Sequence, residues 1–133
     1  MTRPRPSALA LAKDVVVAES RGDESRGIEL TIVRKLHATL GTLIGTHGFD
    51  VVLARALTLA KREEPSLGNV VAEPGGALKG LVTARADRDR GLVALLSHLI
   101  ELLMRFIGED LAGRVVRDTW PNVEFVSGTE TTR

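Results

Sequence analysis

GLVALLSHLIELLMRFIG, Gly91 to Gly108, is the stretch on which the fold turns. Ten of its eighteen positions are large aliphatics or phenylalanine: Leu92, Val93, Leu95, Leu96, Leu99, Ile100, Leu102, Leu103, Phe106 and Ile107. Those residues cover far more than the ~100° stripe that an ordinary surface helix buries. A helix apolar on most of its circumference belongs at the centre of a bundle or against a partner. Its polar residues, Ser97, His98, Glu101 and Arg105, form one narrow strip, with Glu101 and Arg105 at i+3 and i+7 from His98. That strip is expected to face solvent; the sharper alternative is a polar contact across an interface.

Outward towards the C-terminus, Gly108 ends this helix, and Glu109-Asp110 put negative charge where the next helix's macrodipole favours it. Leu111, Val115 and Val116 are expected to face inward, Trp120 to close the helix and Pro121 to stop it. Trp120 is either a cap on the chain's own core or an anchor for a second copy, since interfaces are enriched in tryptophan. Residues 122–133 are expected to be a loose tail.

Outward towards the N-terminus, ARADRDRG (84–91) alternates charge sign and predicts a solvated helix start or loop. Residues 65–90 are rich in turn formers: Pro-Ser, Leu-Gly-Asn and Pro-Gly-Gly. Val70-Val71 and Leu81-Val82 predict either a small β-hairpin across Glu73–Gly76 or a long loop pinned to the core. Pro65 stops a helix predicted from Phe49 to about Glu64, with Phe49, Val52, Leu53, Ala56, Leu57 and Ala60 inward. Before it, Ile28, Ile32, Leu36 and Leu40 recur every four residues beside Val33 and Ile44, an amphipathic helix ending near Gly45. Ala8 to about Glu19 predicts a short helix, with Val15-Val16-Val17 leaving a strand open there. Residues 20–27 predict a loop or a fraying helix start, and residues 1–7, with Pro4 and Pro6, a loose extended tail.

The pattern adds up to an all-α chain, a compact bundle of four to five helices with a turn-rich insertion around residues 65–90. At 133 residues it fits a single domain. The 44% hydrophobic and 26% charged fractions are ordinary for a globular protein. Zero cysteines exclude disulfides, thiolate metal sites and a cysteine nucleophile. A net charge of +1, with both signs interspersed, disfavours nucleic acid, where phosphate neutralisation supplies most of the affinity. Lys13 and Asp14 cut short any signal-peptide apolar region, and no apolar run approaches the ~20 residues of a membrane span. A cytoplasmic protein that does not engage membranes is expected.

GTLIGTHGF, Gly41 to Phe49, invites a phosphate-loop reading that its context refuses. The glycines lack the following lysine that would reach a phosphate, and the run before them has helical, not strand, period. A helix corner accounts for more: glycine suits a left-handed helix end at Gly45 or Gly48, and Thr46 could cap the next helix. Gly41 and Gly45 share a helix face that would let another backbone come close.

Within LHATLGTLIG, His37 followed by Gly41 resembles the phosphoacceptor segment of histidine phosphotransfer domains, which are four-helix bundles of about this size. The resemblance spans about ten residues, and Leu40 stands where that family's lysine is expected. It implies a signalling domain phosphorylated on His37. A helix–turn–helix DNA-binding regulator over residues 28–64 would present Arg55, Lys61 and Arg62, but Glu63-Glu64 would repel phosphates. His37, His47 and His98 are too scattered for a metal motif, no serine sits in G-x-S-x-G, and no cofactor is expected. The expected function is therefore non-catalytic: a small regulatory or adaptor protein that binds a protein partner and self-associates. The candidate contact residues are His98, Glu101, Arg105 and Trp120.

Overall fold

In the computed structural model, which describes residues 4–22, 28–73, 77–81 and 84–125, four helices enclose one apolar core. They are α1 (Pro6–Gly22), α2 (Ile28–Glu63), α3 (Arg85–Ile107) and α4 (Glu109–Thr119), with a short 3-10 turn at Pro65–Leu67. Most of the described residues are helical, with a two-stranded antiparallel sheet, the all-α bundle with a small hairpin.

The most apolar stretch is the hub. α3 packs on α1, on α2 and on α4, and it begins two turns earlier than Gly91, so ARADRDRG folds as its first turns. Leu92, Leu95, Leu96, Leu99, Ile100 and Leu103 are all buried. Phe106 is the exception, 68% exposed, and Val93, Leu102 and Ile107 are half-buried.

α1 runs longer than expected at both ends. Pro6 occupies its first position, where a missing N–H costs nothing. Val15 and Val16 are buried in helical backbone, so the strand alternative falls. Nor is the segment before the helix loose at Arg5, which is bonded to Glu101. At the other end Phe125, beyond Trp120, is buried in the core, so the packed chain reaches into the stretch expected to be a tail. Proline content signals turns and extended backbone; it says nothing about a long-range anchor.

The expected corner at GTHG shrinks to a single residue. α2 runs from Ile28 to Glu63, and only Gly45 leaves helical geometry, at φ 82° and ψ 160°. That region is essentially glycine's alone, so one residue supplies the whole change of direction. Thr46, His47 and Gly48 are already helical, and Thr46 is exposed within the helix rather than ahead of it. The shared glycine face is not a packing device either: a Cβ added at Gly41 would meet only the His37 ring, at 3.9 Å, and one at Gly45 nothing within 4 Å. Both predicted stripes of α2 are buried as expected, Ile28 through Leu40 and Phe49 through Ala60. By length and composition α2 could also cross a membrane, contrary to the expectation of no such stretch, though 39% of its most apolar window is buried in the fold.

The insertion contains the hairpin, shifted from its expected strands. β1 (Val71–Glu73) pairs with β2 (Ala77–Lys79) in the register Val71–Lys79, Ala72–Leu78 and Glu73–Ala77. Leu81 packs on the core, and Val82 lies outside the described residues. On α4 the buried face is Ala112, Gly113, Val115 and Val116. Leu111 was expected inside but is 45% exposed, because it sits about 100° round the helix from Ala112. Gly108, at φ 94° and ψ 155°, makes the α3–α4 corner.

Candidate functional site

The polar strip of α3 does not face solvent. Ser97 and His98 are 1% exposed and Glu101 3%; Arg105 alone is on the surface. The strip was read as a solvated face because its residues are polar. On a central helix that face is covered by the start of α1 and the end of α2, so the polar groups had to find partners inside.

Glu101 has found four donors. The Arg5 guanidinium binds it through both oxygens, Nε to Oε1 at 2.9 Å and Nη2 to Oε2 at 3.1 Å, and the Arg5 backbone N–H adds a third bond at 3.0 Å. Arg105, one turn along α3, donates from Nε to Oε2 at 3.0 Å. Burial pushes the Glu101 carboxyl up, but the bonds from Arg5 and Arg105 together outweigh it and hold the group below the usual carboxylate value. The same hydrogen bonding to Glu101 is the main reason the Arg5 guanidinium is raised. Beside it, the Ser7 hydroxyl donates to Glu109 at 2.7 Å. This is a clasp that ties the N-terminus to α3 and to the first residue of α4.

His98 is less well served. Among the described residues neither ring nitrogen has a hydrogen-bond partner, and the nearest acid is Glu63 Oε1, 3.3 Å from Nε2. A buried imidazole without partners is costly, so its surroundings are worth following. Glu63 lines a groove of about 380 Å³ between α1, the end of α2 and the first half of α3. Its apolar wall is Leu9, Val16 and Val17 from α1 with Val93 and Ala94 from α3.

Trp120 is inside the chain, 2% exposed, with its indole Nε1 donating to Glu19 at 2.6 Å. Lys35 binds the same carboxylate oxygen at 2.8 Å, so Glu19 joins α1, α2 and the end of α4. The indole therefore caps the chain's own core. His37 stacks edge-on to Phe49, ring centroids 5.1 Å apart, and its Nε2 is buried with no hydrogen-bond partner among the described residues. Phosphoryl transfer needs an accessible imidazole nitrogen; Nε2 is buried, and the residue as a whole is half-buried. Arg55 and Arg62 are exposed, but a single non-helical residue precedes their helix, not the three- or four-residue turn of a helix–turn–helix.

Sequence reasoning missed Arg5, Glu63 and Phe106. The bidentate clasp joins residues 96 apart, which no local pattern reveals. Only Phe106 left a signal: it stands near the end of the stretch, where a central helix begins to run out of neighbours. Compared with known proteins, the chain matches no family model, no curated protein and no solved structure.

Proposed function

We propose that this chain is a non-catalytic helical adaptor that works by protein–protein binding and pairs with a second copy through the α3–α4 corner. The observation that carries the reading is Phe106. The chain has four aromatic residues, three phenylalanines and one tryptophan; Phe49, Trp120 and Phe125 are buried, and Phe106 is 68% exposed. Leu102 lies one turn before it on the same face, half-buried, and Leu111 follows across Gly108 at 45% exposed. Apolar residues gathered at one corner favour pairing with another surface, and a twofold copy is the commonest partner.

Charge supports the same arrangement. Arg105 and Arg114 are exposed near the corner, and so are Glu109 and Asp110. Both signs on one patch suit a twofold contact, in which acid on one copy meets base on the other. The buried Trp120, His98 and Glu101 would stay inside each subunit, so the contact moves from them to Phe106, Leu111 and Arg105.

Light scattering coupled to size-exclusion chromatography tests this at micromolar concentration. The expected mass is near twice the 14.3 kDa of one chain, falling to one chain in Phe106→Lys without loss of helicity. A constant 14.3 kDa across the concentration range ends the self-association reading.

A further inference from the structure

We propose that the groove between α1 and α3 binds a small amphiphilic cation, its apolar chain along Leu9, Val17 and Val93 and its protonated amine on Glu63. The site is separate from the α3–α4 corner and does not depend on self-association. Four observations lead to it. The volume, about 380 Å³, lies in the range of small-molecule sites, roughly 300–1,000 Å³. One wall is aliphatic, and two of its residues, Leu9 at 36% and Val17 at 49%, stand partly in solvent where a ligand's hydrocarbon would cover them.

The third observation is charge. Of the three carboxylates lining the groove, two are occupied. Asp89 accepts bonds from Arg88 at 3.1 and 3.2 Å and from Ser20 at 3.1 Å. Glu64 accepts the Ser66 hydroxyl at 2.9 Å and has Arg90 at 3.7 Å. Glu63 differs: among the described residues the only basic group within 4.0 Å of it is the His98 ring. The fourth is His98 itself, fully buried behind Glu63 with its Nε2 3.3 Å from the carboxylate and no hydrogen-bond partner. A buried polar ring directed at a carboxylate on the wall is what a built polar end looks like, and the remaining partner to supply is a cation. Lys13 and Arg90 also line the groove, but both are exposed: water solvates the Lys13 ammonium at the end of a flexible stem, and Arg90 is already paired with Asp87 and lies 3.7 Å from Glu64. An anionic ligand would have to rely on these two.

Amide NMR titrations of the full chain with n-octylammonium, n-octanol and n-octanoate, each kept below its aggregation threshold, separate these cases. Octylammonium is expected to shift amides of residues 9–17 and 89–97 and to bind about tenfold tighter than octanol, the difference a charge-assisted contact contributes at a partly exposed site. Octanoate is expected to bind weakest. Glu63→Gln should bring octylammonium down to the level of octanol while the amide spectrum elsewhere stays unchanged. Ala94→Phe, which fills the groove, should weaken octylammonium and octanol alike. The proposal is overturned if octanoate binds as well as octylammonium, if Glu63→Gln leaves the preference intact, if the shifts lie elsewhere, or if no probe binds.

Discussion

α3 and α2 are both strongly apolar helices, yet they treat their exceptions in opposite ways. α3 buries Ser97, His98 and Glu101, while α2 leaves Leu30, Leu43 and Val51 about half exposed, at 49%, 57% and 55%. Residue polarity does not explain that inversion; place in the bundle does. α3 has α1, α2 and α4 around it, so nearly every face is covered whatever stands there. α2 lies on α3 along one stripe, and among the described residues it has no second neighbour of comparable size. A polar residue on the central helix must therefore be paired, and an apolar one on the outer helix is merely tolerated.

The sharpest way to break this contrast is one leucine from each helix. Leu99→Ala on α3 removes a side chain 1% exposed and should cost about 2–5 kcal/mol. Leu43→Ala on α2 should stay within about 0.5 kcal/mol. Thermal unfolding of both variants decides, and comparable shifts would mean that α3 is not the covered helix.

Next in size is the break in α2. Gly45→Ala forces a side chain into backbone that only glycine adopts readily and should cost about 1–3 kcal/mol, although its Cβ would meet nothing within 4 Å. Gly41→Ala, in regular helix one turn earlier, should stabilise by up to about 1 kcal/mol. Urea midpoints moving in opposite directions are the expected outcome. The same sign for both would mean that α2 is not broken at Gly45.

The smallest effect tests the buried acid. Arg5→Ala removes the fork that holds Glu101 and should cost less than Leu99→Ala or Gly45→Ala, because that guanidinium is a third exposed. Its pH dependence follows from the lowered carboxyl. The stabilisation is complete above the ordinary value of 4.5 and is lost as pH falls through the lower folded-state value. Wild type and Arg5→Ala should therefore differ by a constant amount near neutrality and converge in acid. A gap that persists undiminished at low pH would remove Glu101 from the account.

The site was much less legible than the fold. Of the candidate contact residues, Arg105 is on the surface, whereas His98, Glu101 and Trp120 are enclosed by the chain's own helices. The residues that define the groove's polar end, Glu63 and His98, stand 35 positions apart on different helices. Glu63 read only as half of an acidic pair at a helix end.

What the sequence determined by itself is the set of helices and their inner stripes. Ile28, Ile32, Leu36 and Leu40 recur at helical spacing and are buried, as are Leu92, Leu96, Leu99 and Leu103, because that spacing fixes which side chains share a face. The turn formers likewise marked the hairpin, and Gly45 was among the glycines marked for the break. Only the tertiary structure decided what covers each face. It put Arg5 on Glu101, Glu19 under Trp120, His98 behind Glu63, and left Phe106 outside. Periodicity is a property of one helix, whereas burial depends on neighbours brought in from distant sequence. That is why α3 could be recognised as central from its own residues, while the partners of its polar strip could not.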